Sequence, residues 1–279
     1  MRRACVIGDP IAHSRSPLVH GFWLRQLGIE GHYGREHVRA AELEDFIRGL
    51  DEHHYLGCNV TLPHKEGAFR FVDRTTELAS SLRAVNTIWL DESGRTHGDN
   101  TDVYGFLANL DQEAPAWRER RDTALVLGAG GSARAVIAAL EGAGLARIAI
   151  ANRSLERAQN LALRSRACIE AIGLNEVSGM LGEVDLLVNT TSLGMVGETD
   201  HDFALDNLKP TAVVADLVYV PLLTPLLAKA RAKGHQIVGG LGMLLHQAVP
   251  GFERWFGARP RVTAELRNFV AADILANAA

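Results

Sequence analysis

Three segments place small polar residues at the ends of apolar runs. In Gly8-Asp9-Pro10-Ile11-Ala12-His13-Ser14-Arg15-Ser16-Pro17, two serines precede a periodic apolar stretch. Ser16-Pro17 reads as a helix N-cap followed by proline at the first helical position. The hydroxyls of Ser14 and Ser16, beside a helix N-terminus, can also bind a carboxylate. In Gly57-Cys58-Asn59-Val60-Thr61-Leu62-Pro63-His64-Lys65, an apolar strand ends in Asn-x-Thr, turns at Pro63 and delivers one lysine. Ala84-Val85-Asn86-Thr87 and Gly98-Asp99-Asn100-Thr101-Asp102 add amides, hydroxyls and carboxylates. Such groups both donate and accept hydrogen bonds, which suits a polyhydroxylated ligand. A lone lysine or aspartate is usually a solvated surface group. Several polar strand ends converging on one cleft make a site the better reading.

A fourth segment carries different chemistry. Val126-Leu127-Gly128-Ala129-Gly130-Gly131-Ser132-Ala133 follows a predicted strand and opens a predicted helix, matching GxGxxA at Gly128, Gly130 and Ala133. The first glycine makes the tight turn, the second lets the backbone approach a pyrophosphate, and a small third residue lets helix and strand pack closely. Unpaired N–H groups at the helix start then face phosphate. The next strand ends in Asn152-Arg153-Ser154, with Arg157 one turn on. NAD-selective sites usually carry a carboxylate here for the ribose 2′-hydroxyl. Two guanidinium groups in its place favour a 2′-phosphate, hence NADP. Asn152 and Ser154 can also cap the following helix with the arginines solvated, a reading compatible with the first.

The elements that must position these residues follow from the apolar pattern. Runs at 4–8, 55–61, 124–128, 148–152, 185–189 and 212–216 read as strands, near-continuously apolar as in parallel sheets buried on both faces. Helical periodicity separates them at 18–27, 41–50, 132–142, 155–163 and 224–233, so the fold class is α/β built from βαβ units. Two series appear. The first, 1–101, closes with a hairpin over 86–90 and 95–97 and is expected to be an open α/β substrate domain, completed by helices near 241–255 and 263–277 that pack back on it. The second, 102–239, starts with a crossing helix at 102–110 and is expected to be a Rossmann-like NADP-binding domain. A ligand is expected between the two.

The chain has 279 residues and a net charge of −4, with 47% hydrophobic and 22% charged residues. This disfavours disorder and general nucleic-acid affinity, and no apolar run reaches a membrane span or a signal peptide. The three cysteines, Cys5, Cys58 and Cys168, are far apart in the chain and lack CxxC spacing. They read as reduced thiols of a cytoplasmic protein, Cys5 and Cys58 as packing residues within apolar runs, with no metal site expected.

With these motifs in this order, together with Asn189-Thr190-Thr191-Ser192-Leu193-Gly194-Met195, Gly240-Leu241-Gly242-Met243, Gln247 and Phe252-Glu253-Arg254-Trp255, the chain resembles the shikimate 5-dehydrogenase family over nearly its whole length. The resemblance implies NADPH-dependent, reversible reduction of 3-dehydroshikimate to shikimate in aromatic amino-acid biosynthesis, by a cytoplasmic monomer or homodimer acting on a small molecule. It implies that Ser14 and Ser16 hold the substrate carboxylate. Thr61, Asn86 and Gln247 would hold its hydroxyls, and Lys65 and Asp102 would form the catalytic pair, with Asp102 also touching substrate. Gly128, Ala129, Gly130, Gly131 and Ser132 would bind pyrophosphate, and Asn152, Arg153, Ser154 and Arg157 the 2′-phosphate. Leu217, Tyr219 and Gly240 would frame nicotinamide and substrate ring, and Glu77 would touch the cofactor. Cys58, Arg83 and Val103-Tyr104 depart from residues frequent in the family. The alternatives are an NAD-using quinate/shikimate dehydrogenase and a catalytically silent NADP-binding regulator.

Overall fold

The alternation of short apolar strands with helices resolves, in the computed structural model, into two six-stranded sheets. The structure describes residues 1–119, 122–163 and 169–277; Cys168 lies outside them. Contacts divide the chain into two units, Met1–Asp102 with Leu244–Val270, and Val103–Met243 with the chain end from Ala271.

The first unit runs β1 (Arg2–Gly8), α1 (Ser16–Gln26), β2 (Gly31–His37), α2 (Leu43–Arg48), β3 (Gly57–Val60), α3 (Lys65–Phe71), β4 (Arg74–Thr75), α4 (Glu77–Leu82), β5 (Thr87–Leu90) and β6 (Thr96–Asp99). Its sheet order is β2-β1-β3-β5-β6-β4. β1 pairs parallel with β2 and β3, whereas β5 is antiparallel to β3 and β6, the expected hairpin. Strand β2 does not show as an apolar run because of its residues only Tyr33 is buried. The stretch 41–50, expected as one helix, is a single turn at Ala40–Glu42 followed by α2. The expected cap at Ser16 is also corrected. Helix α1 begins at Ser16 itself, the cap residue Arg15 makes no side-chain cap bond, and the Ser14 hydroxyl oxygen accepts from Ser16 N–H at 3.3 Å. The serine two residues upstream thus takes the orphan donor, a local side-chain-to-backbone bond that competes with ordinary capping.

Arg83 ends α4 with φ +52°, a left-handed conformation that a side chain makes costly and glycine does not. Glycine would adopt this conformation without that cost, and nothing in the structure explains the arginine. Cys58 lies in register with Cys5 on the neighbouring strand, both fully buried in an apolar cluster with Ile7, Val60 and Ile88.

The second unit opens with α5 (Asp102–Glu113) and continues through β7 (Thr123–Leu127), α6 (Gly131–Gly142), β8 (Arg147–Asn152), α7 (Leu155–Ala162), β9 (Ile169–Gly173), α8 (Val177–Met180), β10 (Leu186–Asn189), β11 (Val213–Asp216), α9 (Pro225–Ala232) and β12 (Gln236–Val238). Every pairing is parallel, in the order β12-β11-β10-β7-β8-β9. This is the doubly wound Rossmann order, whose direction reverses between β7 and β10. β7, β10 and β11 are buried at every residue, as their unbroken apolar runs require of strands covered on both faces.

Helices α10 (Gly240–Phe256) and α11 (Ala264–Ala276) end the chain. From Leu244 onward α10 packs on the first unit. Phe252 meets Trp23 edge-on at 5.4 Å, Trp255 Nε1–H donates to Ile88 O at 2.9 Å, and Trp23 Nε1–H donates to Arg261 O at 3.1 Å. Both indoles thereby satisfy their N–H while burying their rings. Among the described residues no helix is long and apolar enough to cross a membrane.

Candidate active site

In the first unit, β3 ends at Val60 and α3 starts at Lys65, so the short turn between them presents the lysine at the strand's carboxyl end. The Lys65 carbonyl accepts from Val85 N–H at 2.9 Å, tying that turn to the residues before β5. Lys65 Nζ donates to Asp102 Oδ2 at 2.6 Å, with side chains 20% and 9% exposed. Water screens this pair far less than a surface ion pair. The other carboxylate oxygen, Oδ1, accepts from Asn86 Nδ2 at 2.8 Å.

Asn86 is itself fixed. Its Oδ1 accepts from Thr101 N–H at 2.8 Å and from Thr87 Oγ1 at 3.0 Å. Its amide N–H₂ therefore faces Asp102. Asn59 lies behind, donating to Asn86 O and Thr87 Oγ1 and accepting from the Tyr33 hydroxyl at 2.6 Å. A buried network joined at this many points holds Asn86 in one orientation. Asn59, Tyr33 and Thr101 had no assigned role in the sequence; the available signal was a polar residue at or near a strand end otherwise apolar.

The other candidates of this unit fall out as follows. The Ser14 hydroxyl accepts from Ser16 N–H, leaving its own hydrogen to donate. Ser16 is buried at the start of α1. The Thr61 hydroxyl makes no hydrogen bond among the described residues. Gln247 Nε2 donates to Leu244 O, and the Gln247 main-chain carbonyl accepts from Thr101 Oγ1 at 2.8 Å, which joins α10 to the network. Glu77 is exposed in the first turn of α4 and makes no ion pair among the described residues.

In the second unit, the glycine loop leaves β7 at the switch point. Gly128 has φ +106°, and a Cβ there would lie 2.7 Å from Thr190 Oγ1, so the turn needs glycine. A Cβ at Gly130 or Gly131 would meet nothing within 4 Å. Gly130 caps α6 without any side-chain bond, which leaves the helix's first N–H groups to a ligand. Ala129 and Ser132 line this same turn. An open backbone cradle before uncapped N–H groups fits a pyrophosphate.

After β8, Ser154 accepts from Arg157 N–H as the N-cap of α7, and Asn152 Nδ2 donates to Ser154 O at 2.9 Å. Arg153 and Arg157 are exposed and make no ion pair among the described residues. Capping and free guanidinium groups thus coexist, as a 2′-phosphate site requires.

At the end of β11, Asp216 Oδ1 accepts from Asn189 Nδ2 and Val218 N–H, and Oδ2 from Thr224 Oγ1 at 2.7 Å. Burial pushes its carboxyl up to about 6, against these bonds. The network fastens the segment bearing Leu217 and Tyr219, and was not anticipated. Gly240 packs beneath it, where a Cβ would come 2.2 Å from Leu217 O. Among the described residues no group of His, Cys, Asp or Glu is arranged to hold a metal ion.

The sheet order, the cradle and the lysine–aspartate pair define a two-unit dinucleotide-binding α/β protein with the parts of an oxidoreductase. Residues 6–88 match the shikimate dehydrogenase substrate binding domain, 112–210 the shikimate / quinate 5-dehydrogenase model, and 240–264 the shikimate 5′-dehydrogenase C-terminal domain. The chain is 51% identical over 274 residues to the shikimate dehydrogenase (NADP(+)) of Chelativorans sp. (strain BNC1), covering 98% of this chain and 97% of that protein. The structure is similar to shikimate 5-dehydrogenase from Thermus thermophilus in complex with NADP(H) and shikimate (TM-score 0.87, 35% identity, 98% and 100% of the two chains). It is also similar to quinate dehydrogenase from Corynebacterium glutamicum in complex with NAD (TM-score 0.90, 30% identity, 97% and 99%). The chain belongs to the shikimate dehydrogenase family.

Proposed function

We propose that the chain catalyses the NADP-dependent, reversible reduction of 3-dehydroshikimate to shikimate, with Lys65 and Asp102 as its catalytic pair. The observation that carries this is the Lys65–Asp102 contact at 2.6 Å, held from behind by Asn86.

Bound NADP(H) supplies or takes up the hydride. The residues of this chain manage the oxygen and its proton. Lys65, as an ammonium, stabilises negative charge growing on the substrate oxygen and donates a proton to it. Asp102 keeps the ammonium directed, since one carboxylate oxygen is engaged by Lys65 and the other by Asn86. Asn86 has a second amide hydrogen for a substrate hydroxyl, and the Thr61 hydroxyl is available for another. Ser14 and Ser16 donate to the substrate carboxylate. The 128–132 loop holds pyrophosphate, and Arg153 and Arg157 hold the 2′-phosphate, against which NAD offers only a hydroxyl. Leu217, Tyr219 and Gly240 shape the nicotinamide end. The reaction runs in the cytoplasm, where Cys5 and Cys58 stay reduced, in a monomer or homodimer.

The test is absorbance at the nicotinamide band with shikimate or quinate and with NADP or NAD. Turnover is expected with shikimate and NADP. Preference for quinate with NAD would replace this reading, and no turnover with any pair would leave a silent NADP-binding protein.

A further inference from the structure

Strand β2 puts Tyr33, Arg35 and His37 on one face, two residues apart each time. Arg35 and His37 reach the loop between β1 and α1. His37 Nε2 lies 2.7 Å from Asp9 Oδ1. Arg35 makes the most directed contact. Its Nε and Nη2 both donate to the Ser14 carbonyl, at 2.9 and 2.6 Å. Ser14 N–H meanwhile donates to Ile11 O at 3.0 Å, and its hydroxyl oxygen accepts from Ser16 N–H. With carbonyl, amide and hydroxyl oxygen all engaged, the Ser14 hydroxyl hydrogen is the one polar valence of the residue left to point at a ligand.

We propose that Arg35 is a positioning residue that sets the affinity for the substrate carboxylate by clamping Ser14. The proposal rests on the reading of Ser14 as a carboxylate donor. A guanidinium suits the task because its rigid fork places two N–H groups on one acceptor, which an ammonium on a flexible stem does not reproduce. Loss of the clamp frees the Ser14 carbonyl to rotate and disperses the hydroxyl's direction. The hydride and proton steps, which belong to other residues, are untouched.

The experiment compares Arg35→Gln, Arg35→Lys, Ser14→Ala and the double variant Ser14→Ala/Arg35→Gln in steady-state kinetics with shikimate and NADP. KM is independent of the fraction of enzyme folded, so it reads the site even if a variant is less stable. Arg35→Gln is expected to raise KM for shikimate about tenfold, the range of one charge-assisted hydrogen bond. Its kcat should stay within about twofold, and KM for NADP should not change. Arg35→Lys is expected to stay impaired, and the double variant to match Ser14→Ala. If Ser14→Ala raises KM while Arg35→Gln does not, or Arg35→Lys is indistinguishable from wild type, the clamp is overturned and the Ser14 reading stands. If Ser14→Ala leaves KM unchanged, the Ser14 reading fails and the clamp fails with it.

Discussion

Lys65 and Asp102, 37 residues apart in the chain, meet at 2.6 Å, and the lysine takes only one of the two carboxylate oxygens. The aspartate is therefore an orienting group shared between Lys65 and Asn86. Lys65→Ala is expected to lower turnover by about 10²–10⁴-fold, the range for a positioned acid or base, with NADP affinity unchanged. Asp102→Asn keeps the shape and the Asn86 side of the contact but removes the charge that directs the ammonium, so it should also cut turnover. Because the two groups work through one contact, the double variant should be little worse than the poorer single one. Turnover, cofactor titration and circular dichroism on all three variants decide this, and near wild-type turnover in Lys65→Ala would remove it from the mechanism.

Two glycines with opposite surroundings give a paired prediction. A Cβ at Gly130 meets nothing within 4 Å, so Gly130→Ala should melt like wild type. It should still weaken NADP by about five- to a hundredfold, because the methyl group stands where the pyrophosphate must approach, at a strain of about 1–3 kcal/mol. Gly240→Ala should instead lower stability by about 1–3 kcal/mol or more, since its Cβ would lie 2.2 Å from Leu217 O and 2.8 Å from Val218 O. Thermal melts beside NADP titrations separate the two. A destabilised Gly130→Ala with normal affinity would contradict the cradle.

The unequal legibility of these features in the sequence has physical causes. β7, β10 and β11 are buried on both faces, so their apolar runs announced them, and the glycine loop after β7 followed from its strand–turn–helix setting. β2 is an edge strand with six of its seven residues wholly or partly accessible, and its pattern of Gly, His, Arg and Glu around Tyr33 carries no apolar run to detect. β4 is only two residues long. The Lys65–Asp102 pair came from the family resemblance, because no spacing rule links two side chains brought together by non-adjacent turns. Asn59 and Asp216 were invisible as organisers because their role lies in the direction of each amide and carboxylate, which depends on partners from several strands. Ser16 before Pro17 satisfied every local rule for a cap, yet Ser14 took the helix donor instead.

Cofactor choice should reside in the guanidinium groups after β8. Arg153 and Arg157 are exposed and make no ion pair among the described residues, so each is available to a phosphate at no cost in existing partners. Arg153→Ala is expected to weaken NADP by about ten- to a hundredfold, the loss of one charge-assisted hydrogen bond, with NAD nearly unaffected. Raising salt should narrow the difference between wild type and variant, because these charges face water. Equal losses for both cofactors in parallel titrations would count against a 2′-phosphate site.

His20 predicts a pH dependence of stability in the first unit. Its ring is fully buried, stacked on Tyr33 at 3.8 Å and packed near Trp23, Phe252 and Trp255. Neither nitrogen has a hydrogen-bond partner among the described residues. Desolvation lowers its pKa to about 3, outweighing the effect of the nearby Asn59 amide, which raises it. The unfolded chain, near 6.5, thus binds this proton more readily than the folded chain between about pH 3 and 6.5. Stability from a neutral buried His20 is fully present above pH 6.5 and is lost as pH falls below it. At pH 5 the loss from this residue is about 2 kcal/mol. His246, lowered to about 4 by burial and then by Arg267, adds to the same window, so the comparison must isolate one ring. His20→Phe keeps a flat ring on Tyr33 and removes the titrating group. Urea unfolding at pH 7.5 and pH 5 should show a smaller loss of stability in His20→Phe than in wild type. Equal losses in both proteins would mean that His20 does not contribute to acid sensitivity.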